Sequence, residues 1–168
     1  AVEAAIKLHE SVASKLEIID KIVIRTQEPA IRIISKVGKL ANAADRDHCI
    51  QYMVAVGLIF GDLIAEYYED DFHQENQLID KLRDKMIIEE DNQFSMDYLD
   101  PEKRSIANAV QVFFNDGTCS DDIQIEYPIG HKKRREEGIP LLEEKFWNNL
   151  NTCFDKDKSK LICLLYTS

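Results

Sequence analysis

The segment ADRDHCIQY, residues 44–52, holds the densest set of side chains able to do acid–base chemistry on a small anion. His48 has an intrinsic pKa near neutrality and stands where a loop feeds a long apolar run, so a helix start would fix its backbone. Arg46 offers a planar guanidinium that can pair bidentately with a carboxylate. A helix N-terminus adds partial positive charge and free N–H groups. Together these residue types fit a site for a small carboxylate in which His48 moves a proton. They fit plain packing as well. Asp45 or Asp47 can serve as a helix cap, Arg46 as its ion-pair partner and His48 as a satisfied structural histidine.

Three other clusters carry weaker signals. In YPIGHKKRREEG (127–138), Lys132, Lys133, Arg134 and Arg135 stand in a row beside His131. They can concentrate a small polyanion, and a solvated basic loop balanced by Glu136 and Glu137 is the plainer account. In EYYEDDFHQE (66–75), five carboxylates beside His73 bring Mg²⁺ or Ca²⁺ to mind, yet the spacing follows no calcium-loop pattern and a solvated acidic turn is expected. Tyr98, in SMDYLD, can donate its hydroxyl to a substrate or pack in the interior. The sequence has no GxGxxG, P-loop, HExxH or GxSxG. Cys49, Cys119, Cys153 and Cys163 do not cluster for zinc or an iron–sulfur centre. No full catalytic set is present, and neither a metal nor a cofactor is expected.

The elements that must position these groups read as α+β. The chain has 168 residues, enough for one compact unit, with a hydrophobic fraction of 45% and few Gly or Pro. Its net charge of −10 disfavours general binding to nucleic acid or to an anionic membrane. No apolar run approaches the roughly 20 residues needed to span a bilayer. Widely spread cysteines without CxxC fit reduced, cytoplasmic thiols. The start, AVEAAIKLHE, lacks a signal-peptide pattern and an initiator Met, so it reads as a cut inside a larger protein.

Residues 1–20 are loosely helical, and β-branched residues 22–26 predict a strand that ends or bulges at Pro29. Residues 30–37 fit a second strand or helical turns equally. A loop follows over 38–47. The apolar run after His48 predicts a buried helix, in which Gly57 and Gly61 would allow another backbone to approach. A short helix is expected over 77–85 and a strand over 86–88. Residues 97–104 read as a loop. Strands over 107–114 and 123–127 flank a turn at Asn115-Asp116-Gly117, and a helix covers 141–150.

The runs RTQEPAIRIISKVGKLANAADRDHCIQYMVAV (25–56), AEYYEDDFH (65–73), DPEKRSIANAVQVFFNDGT (100–118) and EYPIGHKKRREEGIPLLEEKF (126–146) closely resemble bacterial members of the 2-methylcitrate dehydratase family. The likeness runs from about Lys15 to about Phe154, and only Lys160–Ser168 looks foreign to it. The resemblance implies a protein with a large all-helical domain built from both chain ends and a smaller α+β domain inserted between them. On that reading, 1–20 ends a helical segment, 21–128 is the α+β domain, and 129–168 returns toward the helical domain with a tail that looks non-native.

It also implies a cofactor-independent elimination of water from 2-methylcitrate to 2-methyl-cis-aconitate, in propionate breakdown through the methylcitrate cycle. A small tricarboxylate would be the substrate, and a homodimer the assembly of the full-length protein. His48 matches a histidine of the family's active site, with Arg46 as a carboxylate anchor or the arginine holding the loop and Tyr98 as a further substrate contact; Arg134 and Arg135, taken from the basic run, complete the expected substrate-binding set. The family's other catalytic groups belong to the helical domain, so the isolated chain is expected to be inactive. A family member decarboxylating cis-aconitate, and a packing or dimerisation module without chemistry, are the alternatives.

Overall fold

The computed structural model describes the backbone of residues 1–167 and the side chains of residues 1–163, so the end of the Lys160–Ser168 tail lies outside the described residues. The chain forms two compact units, Ala1–Glu126 and Tyr127–Ser168.

The first unit is built on a mixed four-stranded sheet of order β2-β1-β3-β4. Strand β1 (Ile19–Thr26) pairs in parallel with β2 (Met86–Glu90) and antiparallel with β3 (Asn108–Phe114), which pairs antiparallel with β4 (Ile123–Ile125). Register sets the faces. Ile22 faces Val112, Ile24 faces Val110 and Thr26 faces Asn108. With a side-chain period of two, these share one buried face. The other face carries Val23, Gln111 and Phe113, all half-buried, with the exposed Ile87.

Helices cover the buried face. Helix α1 (Val2–Val12), whose residues the sequence placed in a flanking segment, packs here through Ala4, Ala5, Leu8 and Val12. After β1 come α2 (Glu28–Ile34), α3 (Ala43–Asp47) and α4 (Ile50–Phe60). Pro29 sits in the first turn of α2, where its missing N–H costs nothing, so residues 30–34 of the ambiguous 30–37 stretch are helical and 35–37 are not. The buried helix is α4, shorter than its apolar run because Gly61 ends it in the left-handed conformation at φ 69°. Gly57 does allow close approach: a Cβ there would lie 3.0 Å from the Ala5 Cβ on α1.

Two segments read as irregular are helical. Residues 66–75 form a 3₁₀ turn (Ala65–Tyr68) and α5 (Asp70–Glu75), because Tyr67 and Phe72 stack on each other at 4.6 Å and both lie against Phe60. Helix α6 (Leu78–Arg83) leads into β2. Helix α7 (Asn92–Leu99) then takes in Asp97 and Tyr98, because the Asp91 carboxylate caps the amides of Gln93 and Phe94 and starts the helix upstream. The loop proper begins at Asp100. Within it Arg104 adopts φ 48°, a left-handed conformation that costs a residue with a Cβ about 1 kcal/mol.

The second unit has a 3₁₀ turn (Lys132–Arg134), then α8 (Arg135–Cys153) and α9 (Lys156–Thr167). Helix α8 extends well beyond the expected 141–150, and Pro140 is accommodated near its start.

Candidate functional site

The α3–α4 junction is fixed from both ends of α3. Asn42 caps it by accepting from the Asp45 amide at 2.9 Å. Asp45 itself accepts from the Ala41 amide at 3.0 Å and from the Lys36 ammonium at 3.3 Å. The Ala41 bond, then the Lys36 bond, hold its carboxyl below the usual carboxylate range. From α4, the buried Gln51 side chain accepts from the Lys36 amide and donates to the Ser35 hydroxyl. The loop that carries His48 is therefore tied down before it reaches the histidine.

His48 is the C-cap of α3, two residues ahead of α4, and Cys49 takes the N-cap position expected near it. Its imidazole is exposed, and Nδ1 contacts the Asp47 carboxylate. With Nδ1–H donated to Asp47, the Nε2 lone pair is left to take a proton from a bound molecule. In that tautomer the pair has the chemistry of an orienting carboxylate beside an exposed proton acceptor.

Arg46 has the opposite disposition. Its side chain is 2% exposed; Nε donates to the Tyr68 carbonyl at 2.6 Å and Nη2 to the Asp70 carboxylate. Of the two roles open to it in the sequence, this geometry is the one of holding a loop. Asp70 lies 24 residues away, and no local pattern links the two. Beneath them Tyr52 donates to the Tyr67 carbonyl at 2.8 Å and stacks on Tyr68. Burial pushes the Tyr52 phenol up to about 12, against the opposing pull of Arg46. Burial, and then the Asp47 charge, raise Tyr68 too.

A further polar group adjoins this layer. His73 Nε2 lies 3.4 Å from Asp80, whose carboxylate also accepts from Arg83 Nη1, and Arg83 Nη2 donates to the Gly38 carbonyl at 2.9 Å. These residues pin the 35–42 loop from below. The acidic run 66–75 thus serves the fold through Asp70 and His73. Among the described residues no three His, Cys, Asp or Glu side chains converge as metal ligands.

The other sequence candidates lie on other elements. Tyr98 is half-buried on α7, which rests against α2. Arg134 and Arg135 belong to the second unit. Arg134 Nη1 donates to the Tyr127 carbonyl at 2.7 Å and Nε to Glu137, while Lys133 donates to the Tyr127 hydroxyl at 2.7 Å. Arg135 is exposed at the start of α8, and residues 132–137 line an open concavity of about 480 Å³. No described helix is long and apolar enough to cross a membrane.

Comparison with known proteins finds relatives along nearly the whole chain. The chain is 54% identical over 153 residues to the 2-methylcitrate dehydratase of Escherichia coli, covering 89% of this chain and 32% of that protein. It is 50% identical over 171 residues to a probable 2-methylcitrate dehydratase of Saccharomyces cerevisiae, covering all of this chain and 33% of the relative. A fungal alkylcitrate dehydratase is 42% identical over 160 residues, covering 92% of this chain and 32% of its own length. The likeness is thus as strong to a yeast protein as to a bacterial one, and the chain spans about a third of the length of the curated relatives it matches. Residues 1–165 match the MmgE/PrpD C-terminal domain, and the chain belongs to that family.

Proposed function

We propose that this chain is the α+β part of an enzyme that eliminates water from 2-methylcitrate to give 2-methyl-cis-aconitate, a step of propionate breakdown. The observation that carries the reading is the identity of 50% or more, over nearly the whole chain, to proteins named for that reaction. In the elimination a base removes a proton from carbon, the electron pair forms the double bond, and the hydroxyl departs as water after protonation. His48 is the base or acid that this chain contributes, held by Asp47 at Nδ1. Arg46 keeps the junction rigid through Tyr68 and Asp70. The remaining catalytic groups, a helical domain and a homodimeric assembly belong to the longer polypeptide in this reading. A cytoplasmic setting is part of it as well, supported by cysteines spread along the chain without a CxxC pair.

The test is turnover by the full-length polypeptide, followed by the ultraviolet absorbance of the unsaturated product, with and without a chelator. Wild type is expected to dehydrate 2-methylcitrate, and His48→Ala to lower kcat by about 10²-fold or more. Undiminished turnover in the variant returns His48 to a structural role. Activity on cis-aconitate in place of 2-methylcitrate moves the assignment to a decarboxylase.

A further inference from the structure

A tricarboxylate needs cationic anchors, and the guanidinium that the sequence offers first, Arg46, is buried and bound to Tyr68 and Asp70. The connection from α7 to β3 presents another. Helix α7 ends at Leu99, Asp100 takes the C-cap, and Pro101 blocks continuation. The amides of Lys103 and Arg104 both donate to the Asp100 carbonyl, at 3.2 and 2.8 Å, and that of Ser105 to the Asp97 carbonyl at 3.2 Å. This closure forces Arg104 to φ 48°, and among the described residues it is the one non-glycine residue with positive φ. Glycine is the residue that a turn position with positive φ favours. Arginine stands there in its place.

The Arg104 side chain is exposed, and among the described residues its guanidinium makes no hydrogen bond or ion pair. Acids are at hand: Asp97 is taken by Lys103 at 2.7 Å, which holds the Asp97 carboxyl below its usual range. The loop therefore neutralises Lys103 and leaves Arg104 pointing to solvent, at a position where a side chain is a conformational liability. A strained, exposed and uncompensated cation is an outlier that folding does not explain.

We propose that Arg104 is a specificity-determining residue that binds a carboxylate of the substrate, presented on the same α7–β3 segment as Tyr98. The inference rests on the dehydratase reading for the identity of the tricarboxylate. A guanidinium supplies the planar fork that a carboxylate accepts from, and a point-charge ammonium replaces it only in part.

Two variants of the full-length polypeptide test it, because φ separates folding from binding at this position. Arg104→Gly relaxes the backbone and removes the cation; Arg104→Lys keeps a charge and the strain. For Arg104→Gly the expected result is a thermal midpoint equal to wild type or a few degrees higher, with KM for 2-methylcitrate raised about tenfold or more. Arg104→Lys is expected to keep the wild-type midpoint and show an intermediate KM. An unchanged KM in Arg104→Gly overturns the proposal, as does a KM increase accompanied by a fallen midpoint. Calorimetric titration with 2-methylcitrate and with citrate is run alongside. If wild type binds but does not turn over, and Arg104→Gly binds at least tenfold more weakly, the anchor stands and the dehydratase reading falls. Equal affinity in the two proteins, or no binding to wild type, overturns the anchor itself.

Discussion

At the scale of single residues, the α3–α4 junction separates an exposed imidazole from buried groups that hold the loop. His48 is exposed and, among the described residues, pairs with its neighbour Asp47, whereas Arg46, Tyr52 and Gln51 are buried and bonded to backbone or loop atoms. Tyr52 illustrates the consequence. With its phenol raised from 10.0 to about 12, it stays protonated through the neutral range. Between those values the unfolded chain has released the proton and the folded chain still holds it. Stability therefore falls as pH rises through that window. Tyr52→Phe removes the titration and the bond to the Tyr67 carbonyl, at a cost of about 1 kcal/mol near neutral pH. Urea unfolding of both proteins from pH 8 upward is expected to show the gap between them closing as alkaline pH is reached. A gap that stays constant would mean that Tyr52 does not set this part of the profile. The sequence showed Arg46 and His48 two positions apart, and it could not show that one faces inward and the other outward. Burial of Arg46 depends on Tyr68 and Asp70, brought in by a turn and a helix whose polar composition hid the aromatic contacts beneath them.

At the scale of elements, local signals were reliable where they matched the packing. The β-branched run 22–26 is the centre of the sheet, and the Asp116-Gly117 turn lies where expected, with Gly117 at φ 83°. The small residues of α4 split into two jobs that spacing alone could not separate. Gly57 admits Ala5 of α1, whereas Gly61 terminates the helix and lies under the imidazole of His9, whose Nδ1 sits 2.9 Å from the Leu58 carbonyl. A Cβ on residue 61 would lie 2.7 Å from His9 Cδ2. Gly61→Ala thus combines left-handed strain with a clash, for an expected loss of about 2 kcal/mol. In a His9→Ala background the clash is gone and the strain remains, so the same change is expected to cost about 1 kcal/mol. A double-mutant cycle by chemical denaturation measures the difference. Equal costs in the two backgrounds would show that α1 yields freely at this contact and does not fix the end of α4.

At the scale of the whole molecule, the two units differ in how much they bury. In the first, α1, α4 and the sheet share a continuous core from Ala4 to Ile125. In the second, Gly138 is the one residue of the 19-residue α8 that is buried, and Ile139, Leu141, Leu142 and Phe146 are all exposed. A helix with its apolar side chains in water gains little from packing and holds its hydrogen bonds on propensity alone, which is marginal at this length. Amide hydrogen exchange on the 168-residue chain reads this directly. Amides of β1, β3 and α4 are expected to exchange only through global unfolding, and those of α8 through local opening, faster by several orders of magnitude. The curated relatives are about three times as long as this chain, and under the proposed function a longer polypeptide would cover the exposed apolar residues of α8. Full-length protein is therefore expected to protect α8 to a level near that of α4, with little change in β1. Equal protection of α8 and α4 in the shorter chain would refute this assignment, because it would show that α8 already has the packing it needs.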